Sequence, residues 1–357
     1  MGRYKILKKI KKMKEITFIG GTGNKQAFGG ELTKNKFLIT FLKNKGFNVH
    51  VVDTYRARKK PWNVIKIFVL LLFRRKDKVI FSTSYGNIEW LIKILWKLKD
   101  KRDFYYFGIG GGFPGRLIKG EFDKDAFHLF KYIIVEGTKM KEELLSIGFD
   151  NAVVVPNFKK VSYLPTLQNR QNNKVRFVFM SRIHPQKGCN YIIECAERLN
   201  KEGYKDKYCV DFYGPIEDFY KEEFLRKIQP LDNVVYKGSL NLQENKGFDT
   251  LASYNAMLFP TYWCGEGFPG VVIDAYIAGL PLIASDWSLN KEWIKDGQTG
   301  YIVKTHDTEE LYNTMLRVVN NPNCLDTMYA CCQKEAVKFD VDKVLTEELM
   351  QRIELKK

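Results

Sequence analysis

The sequence lacks the patterns that mark several common classes of protein. Its seven cysteines form no Cys-x-x-Cys pair and have no histidine at zinc-finger spacing, which argues against a zinc-binding module. An odd number of cysteines, two of them adjacent, is typical of a reducing cytosol. There is also no internal repeat and no low-complexity tract, so neither a repeat protein nor a disordered chain is indicated.

Long apolar runs are also missing. The longest, at 64–73, is broken by Lys66 and is half of the roughly 20 residues that a membrane span requires. Trp62 and basic residues flank it, which is typical of an interfacial helix, although a core helix with solvated ends is an equally weighted alternative. The segment at 90–102 allows the same two interpretations. The run at 16–19 is too short for a signal-peptide core, so we expect a cytoplasmic location.

Acidic residues are scarce in the first part of the chain. The net charge is +17, and residues 1–78 contain 21 Lys and Arg against 4 Asp and Glu, whereas residues 171–357 contain 23 against 27. Such a one-sided field attracts nucleic acid, acidic lipid head groups or phosphorylated substrates. A proteome in which lysine is simply frequent is the alternative explanation, but it does not account for the one-sidedness.

Short apolar runs alternate with amphipathic segments, which predicts an α/β fold with parallel sheets. A polar stretch at 164–174 contains Pro165 and shows little periodicity, so it predicts a linker. We therefore expect an N-terminal domain over 1–163 and a C-terminal domain over 175–341. A final helix over 342–357 is expected to pack back on the first domain. Two such domains would face a central cleft, and parallel sheets bind ligands at the carboxyl ends of their strands.

One segment rich in glycine and proline carries most of the chemistry. A loop presents Glu266, Pro269 can open a helix, and Gly279 can close it. The loop at 267–270 would then leave N–H groups free at the positive end of a helix, which suits a diphosphate. Glu266 and Asp274 would be about 12 Å apart along a helix axis and could hold hydroxyls at the two ends of a nucleotide sugar. A capped helix with two incidental acids is the alternative interpretation.

The run Glu266-Gly-Phe-Pro-Gly-Val-Val-Ile-Asp274 resembles the E-x7-E signature of family 4 glycosyltransferases, the retaining two-domain glycosyl transferases group 1. A later run, Glu292-Trp-Ile-Lys-Asp-Gly-Gln-Thr-Gly300, supports the resemblance. The resemblance implies the GT-B fold, with two Rossmann-like domains. It also implies that Glu266 contacts the transferred sugar, that the second acid binds the ribose, and that no metal or other cofactor is needed. Asp274 stands where the family usually has Glu.

A second element, Ser181-Arg182-Ile-His-Pro-Gln-Lys187-Gly188, resembles the R-x4-K-G element of the same family. The resemblance implies that Arg182 and Lys187 grip the donor diphosphate, and two fixed cations can stabilise its developing charge without a metal. The residues implied to surround the donor are Arg182, Lys187, Gly267, Phe268, Pro269, Gly270 and Asp274, with Gly29 and Gly30 as part of a glycine loop. Many relatives carry a histidine near the sugar, but the corresponding strand here ends in Tyr105-Tyr106-Phe107-Gly108. No acceptor-activating residue is therefore assigned.

These features together predict a retaining hexosyltransferase with Glu266, Arg182 and Lys187 as its catalytic residues. The donor would be a nucleotide diphosphate sugar, with UDP favoured over GDP, and the acceptor a glycan or lipid-diphosphate-linked glycan. Surface polysaccharide synthesis (capsule, O-antigen or exopolysaccharide) is the expected setting. The basic first half is expected to contact an anionic membrane peripherally, at the inner face of the plasma membrane. Two alternatives are a nucleotide-sugar epimerase of the same fold and a basic nucleic-acid-binding protein, although no recognition motif of the latter kind is present.

Overall fold

The computed structural model describes residues 14–23, 29–55, 62–74, 76–167, 170 and 174–355. Much of the basic sequence at 1–13 and 56–61 lies outside the described residues, and so do five positions of the predicted linker (168–169 and 171–173). The described residues form two parallel six-stranded sheets with helices between the strands, so the predicted α/β class is confirmed.

The first sheet comprises β1 (Lys14–Gly20), β2 (Phe47–Asp53), β3 (Lys78–Ser82), β4 (Phe104–Phe107), β5 (Phe130–Val135) and β6 (Ala152–Val154). Their order is β2-β1-β3-β4-β5-β6. Strand β1 pairs in parallel with β2 and β3, and β3 pairs in parallel with β4. The helices of this half are α1 (Gly30–Asn44), α2 (Trp62–Phe73), α3 (Glu89–Lys97), α4 (Phe113–Ile118), α5 (Lys124–Phe127) and α6 (Thr138–Ser146).

The second sheet comprises β7 (Val175–Met180), β8 (Tyr208–Tyr213), β9 (Val234–Tyr236), β10 (Ala256–Phe259), β11 (Leu282–Ser285) and β12 (Gly300–Val303), in the order β12-β11-β10-β7-β8-β9. Its helices are α7 (Cys189–Lys201), α8 (Lys221–Ile228), α9 (Asn245–Ala252), α10 (Gly270–Ile277), α11 (Asn290–Trp293), α12 (Thr308–Asn320) and α13 (Asp326–Ala336). Strand β7 is buried on both faces, because Phe177 and Phe179 pack on the side of α7 while Val178 packs on the side of α10. Burial on both faces explains why these strands are continuous apolar runs.

The chain divides into two compact units. One consists of Met1–Phe107 with Asp123–Ile133, and the other of Gly108–Phe122 with Ile134–Lys357. The second unit is therefore discontinuous in sequence, and it includes two segments from the first half of the chain. The predicted domains at 1–163 and 175–341 stay a prediction.

Arg170 is the described residue in the middle of the predicted linker, and it is buried. Its guanidinium donates to the carbonyl oxygens of Ala252, Ala278 and Gly279 at 2.8, 3.2 and 3.0 Å. These carbonyls lie at the carboxyl ends of α9 and α10, where no intrahelical donor is available. Burial lowers the pKa of Arg170, and the ring of Tyr329 lies 3.8 Å below its guanidinium. This position is thus fixed to the second unit.

The C-terminal segment differs from the single helix predicted over 342–357. It forms two short helices, α14 (Val341–Val344) and α15 (Glu347–Arg352), and residues 356–357 lie outside the described chain. The interruption has a local cause, because the Thr346 hydroxyl accepts a hydrogen bond from Leu349 N at 3.1 Å and so begins a new helix. None of the helices in the described part of the chain combines the length and hydropathy that crossing a bilayer requires.

Candidate active site

Helix α10 begins where the sequence predicts. Pro269 is the residue just before its first turn, and the helix runs from Gly270 to Ile277, two residues short of Gly279. The preceding loop leaves β10 at Phe259 and carries Glu266, which is almost completely buried. A carboxylate in that environment needs a partner, since a buried unpaired charge is strongly destabilising.

Lys187 is the partner of Glu266. Its Nζ donates a hydrogen bond to Oε2 of Glu266, and the Thr261 hydroxyl donates to the same oxygen at 3.2 Å. The side chains of Lys187 and Glu266 are only 12% and 8% exposed, so each charge is neutralised mainly by the other. The structure therefore brings together two of the three predicted catalytic residues.

The third, Arg182, lies at the same loop. Its guanidinium carbon is 5.9 Å from the centre of the Trp263 ring, and Lys187 Nζ is 5.7 Å from that ring. Arg182 also forms an ion pair with Glu217 at 3.2 Å and remains about half exposed. Trp263, which the sequence analysis did not single out, is thus the side chain against which both cations lie.

The loop between β7 and α7 can hold Lys187 here because of Gly188. This glycine has φ of +83°, and a Cβ atom on it would lie 2.2 Å from the carbonyl oxygen of Pro260. Both the backbone conformation and the close approach require glycine. His184, in the same loop, accepts a hydrogen bond from Gln186 N at 3.0 Å and packs its ring on Trp263. Burial, with help from the neighbouring cations, lowers the pKa of His184, which favours a neutral imidazole with a structural role.

The backbone carbonyl of Glu266 is held from two directions. Gly111 N donates to it at 3.1 Å, and the Ser288 hydroxyl donates at 2.6 Å. A Cβ on Gly111 would lie 2.1 Å from that carbonyl oxygen, so only glycine allows this approach. The run of glycines at 110–112 is therefore a surface on which the Glu266 loop rests.

Both backbone groups of Phe268 are also bound. Its N–H donates to Oε2 of Glu136 at 2.9 Å, and its carbonyl oxygen accepts from the Asn157 side-chain amide at 2.9 Å. Free N–H groups were predicted over 267–270, and the bound N–H of Phe268 differs from that prediction. The reason is that Glu136, directly after β5, places an internal carboxylate at the amino end of α10, where an anion is favoured.

Asp274, the second acid of the run at 266–274, forms an ion pair with Lys159. Lys159 Nζ lies 2.5 Å from Oδ1 of Asp274, and both side chains are largely buried. Burial raises the pKa of Asp274, and the Lys159 charge opposes that rise. Lys159 was not predicted as a site residue, although it directly follows the Val-Pro-Asn-Phe segment at 155–158. Lys159 bonds to Oδ1 of Asp274 and not to the other carboxylate oxygen, Oδ2.

Glu292, in the run at 292–300, caps the amino end of α6. Its carboxylate oxygens accept from Thr138 N at 2.6 Å and from Lys139 N at 3.0 Å, both in the first turn of α6. A negative charge at a helix amino end is stabilising. Glu292 therefore fixes the segment that follows Glu136.

Gly29 and Gly30 lie in the other unit, at the start of α1. A Cβ on Gly30 would meet no atom within 4 Å, so no close approach in the chain itself requires glycine there. Their predicted contact with donor phosphates stays a prediction. Among the described residues, no three His, Cys, Asp or Glu side chains come together in a way that could hold a metal ion.

Comparison with known proteins places this geometry in context. Residues 166–338 match the family model described as glycosyl transferases group 1. The chain is 24% identical over 229 residues to poly(ribitol-phosphate) alpha-N-acetylglucosaminyltransferase of Staphylococcus aureus, which covers 62% of this chain and 42% of that protein. It is 22% identical to UDP-Gal:alpha-D-GlcNAc-diphosphoundecaprenol alpha-1,3-galactosyltransferase of Escherichia coli, which covers 57% of this chain and 52% of that protein.

The chain thus spans about half the length of these two relatives. Among solved structures, the apo form of lipopolysaccharide outer core galactosyltransferase WaaB superposes with a TM-score of 0.70 at 14% identity. The superposition covers 96% of this chain and 100% of that one. At this identity the likeness establishes the fold, which is GT-B as the sequence analysis expected.

Proposed function

We propose that the chain, whose residues 166–338 match the glycosyl transferases group 1 model, transfers a sugar from a nucleotide diphosphate donor to a carbohydrate acceptor. The observation that carries the proposal is the Lys187–Glu266 pair next to the amino end of α10, with Arg182 on the same tryptophan. Two cations and a carboxylate at one loop suit a ligand with an anionic diphosphate at one end and sugar hydroxyls at the other.

In the proposed complex, Lys187 serves both ends of the donor. An ammonium group has three donors, so Nζ can hold a phosphate oxygen while it keeps its bond to Glu266. The other Glu266 oxygen, Oε1, then accepts from a hydroxyl of the transferred sugar. Arg182 is half exposed and can leave Glu217 to bind the diphosphate, because exposed ion pairs contribute little.

Asp274 remains the proposed ribose ligand. Lys159 occupies Oδ1, so the ribose hydroxyl would donate to Oδ2. Lys159 is then a positioning residue, because it keeps a buried carboxylate ionised and oriented. An ionised carboxylate accepts hydrogen bonds only, which suits a ligand that presents two hydroxyl donors.

The proposed reaction breaks the bond between the anomeric carbon and the phosphate oxygen and forms a bond from that carbon to an acceptor hydroxyl oxygen. The electron pair of the broken bond goes to the diphosphate, where Lys187 and Arg182 stabilise the charge. The acceptor's proton passes to the departing phosphate oxygen. Attack from the face that the diphosphate leaves gives retention of configuration, and we propose that no metal takes part.

The relatives support a choice of substrates. The E. coli protein's name specifies UDP-Gal as donor, a diphosphoundecaprenol-linked sugar as acceptor and an alpha-1,3 linkage. We therefore propose a UDP-hexose donor, with GDP as the less favoured alternative, and a glycan or lipid-diphosphate-linked acceptor used in surface polysaccharide synthesis. Such an acceptor would place the enzyme at the inner face of the plasma membrane.

Thermal unfolding with a panel of UDP, GDP and their sugars tests the donor class. A ligand at a hundred times its Kd adds about 2.7 kcal/mol to the unfolding free energy, which raises the Tm by several degrees. We expect this shift with UDP-linked ligands in the wild type and in Glu266→Gln. We expect its loss when Lys187→Met is combined with Glu266→Gln, because that pair of changes leaves neither buried charge unpaired. The matched control is Lys205→Met, which removes a half-exposed lysine paired only with surface acids.

Measurement of kcat distinguishes a role of Glu266 in the reaction from a role in donor binding. Glu266→Gln should reduce kcat by at least about a hundredfold while the fold is retained, because the lost charge acts on the reacting sugar. Full activity in Glu266→Gln would contradict the proposed site. Release of an isomerised nucleotide sugar instead of a glycoside would favour an epimerase.

A further inference from the structure

Helix α2 turns an apolar face toward solvent. Trp62, Phe73 and Leu72 are 77%, 84% and 59% exposed, whereas Ile67 and Leu71 on the opposite side are buried. The exposed positions follow the helical period, since 62, 65, 66, 69, 72 and 73 share one side of the helix. The only charged residue among them is Lys66. In a helix that packs on a core, the outer side is mostly polar, whereas the outer side of α2 is mostly apolar.

The exposed surface continues onto α3. The rings of Phe68 on α2 and Trp90 on α3 are 6.1 Å apart, and both helices lie in the first compact unit. Among the described residues, nine of the sixteen exposed large apolar side chains lie on these two helices or at the end of α3. We call eight of them the α2–α3 apolar face, which consists of Trp62, Ile65, Val69, Leu72, Phe73, Trp90, Ile94 and Leu98. The ninth, Trp96, lies on another side of α3, next to the ring of His128.

Basic residues accompany this face. Lys97 and Lys99 are exposed beside Leu98, and Lys66 is exposed within the face on α2. In the sequence, residues 1–78, which include α2, have an excess of 17 basic over acidic residues. Apolar side chains, tryptophan and lysine on one surface match a lipid interface, where acyl chains take the apolar groups and anionic head groups take the cations.

We propose that the α2–α3 apolar face docks on a bilayer of anionic phospholipid, with α2 lying in the plane of the head groups. A second copy of the chain is a weaker candidate occupant. A two-fold interface would place the same basic surface against itself, and like charges in contact oppose association. This inference deepens the proposed membrane location, but vesicle binding can be measured without turnover.

The test is co-sedimentation of the full chain with phosphatidylglycerol vesicles and with phosphatidylcholine vesicles. We expect binding to phosphatidylglycerol that weakens as salt is raised, because the head-group attraction is screened. Leu72→Asp should lower the vesicle partition coefficient about tenfold, since one large apolar side chain no longer enters the interface. Tryptophan emission should shift to the blue on binding, because two of the six tryptophans, Trp62 and Trp90, lie on this face.

The matched control is Leu145→Asp, the same substitution at an exposed leucine on α6 (44% exposed). Both variants are expected to fold, because exposed positions tolerate substitution. No vesicle binding at low salt, or an equal loss in both variants, would overturn the proposal. A dimer that dissociates in Leu72→Asp, without vesicle binding, would assign the face to a second copy instead. If the chain does not bind vesicles but nucleotide still raises its Tm, this proposal is wrong and the proposed transfer reaction is unaffected.

Discussion

Position 111 illustrates how a residue without a side chain can hold a loop in place, here the loop that carries Glu266. Gly111 N–H donates to the Glu266 carbonyl, and the distance leaves no room for a Cβ. Glu266 is also held by Lys187 on its side chain. The acid is therefore fixed through both its backbone and its carboxylate, which is what a group aimed at a sugar hydroxyl requires.

Gly111→Ala is expected to displace the Glu266 loop. Relief of a 2.1 Å contact with a backbone atom requires a main-chain shift, which should destabilise the fold by about 1–3 kcal/mol and reduce kcat by at least about tenfold. The matched control is Gly115→Ala in α4, where a Cβ would meet nothing within 4 Å. That variant should keep its activity and its Tm. The measurements are steady-state kinetics and thermal unfolding, and equal behaviour of the two variants would contradict the role of Gly111.

The sequence revealed the residues of the site that belong to compact motifs, and missed those that contact the site from far along the chain. Glu266 with Asp274, and Arg182 with Lys187, were predicted from short motifs that resemble those of a known family. Lys159, Glu136 and Asn157 were not, because their contacts with α10 and its loop join positions 115, 132 and 111 residues apart. Such contacts depend on how the strands are ordered in space, which local patterns do not specify.

At the scale of elements, the ends of neighbouring strands are tied together by single polar side chains. Asp286 directly follows β11 and accepts from the N–H and hydroxyl of Thr305, beyond the end of β12, at 2.8 and 2.6 Å. Lys291 lies 3.1 Å away. The Thr305 hydroxyl hydrogen bond is the largest of the effects that lower the pKa of Asp286, to about 2.

This pKa predicts how stability depends on pH. Because the folded-state pKa lies below the usual value near 3.9, the ionised Asp286 stabilises the fold above that value, and the contribution is lost as the pH falls towards about 2. Asp286→Asn should lower the unfolding free energy at neutral pH by about 1 kcal/mol, after allowance for partial exposure, and should reduce the loss of stability in acid. Denaturant titrations at neutral and acidic pH measure both effects. Asp206→Asn, at an almost fully exposed acid, should change neither.

Helix α2 shows why the burial of an element is harder to predict than its presence. The apolar run at 64–73 predicted a helix, and the structure has one over Trp62–Phe73. Whether its apolar side would be core or surface was left open, because that depends on which elements lie beside it. The structure buries Ile67 and Leu71 and exposes the side that carries Leu72.

For the whole molecule, the second unit is larger than the region that matches the family. It includes Gly108–Phe122 and everything from Ile134 onward, whereas the match begins at 166. The earlier segments supply Gly111, Glu136 and Lys159 to the site. The backbone of Lys159 is also bonded to the C-terminal part of the unit: its N–H donates to the Phe339 carbonyl at 3.0 Å, and its carbonyl accepts from Val341 N at 2.8 Å. These two hydrogen bonds form a parallel β-bridge between Lys159 and Asp340.

A fragment of residues 166–357 should therefore be less stable than the full chain and should show no Tm shift with nucleotide. Removing Lys159 leaves the buried Asp274 without its counter-ion, which alone is expected to cost about 3–5 kcal/mol. Asp274→Asn in the fragment should recover part of that loss, since it removes the unpaired charge. Thermal unfolding of both fragments and of the full chain tests this. A fragment with the Tm and nucleotide response of the full chain would contradict it.

The ion pair between Lys187 and Glu266 also has a consequence for turnover. In the proposed complex, the sugar hydroxyl and Lys187 share the Glu266 carboxylate. Transfer of the sugar would leave the whole carboxylate to Lys187, which would strengthen that ion pair and weaken the hold of the ammonium on the spent nucleotide. We therefore expect weak product inhibition, with release of the nucleoside diphosphate assisted by the enzyme's own acid.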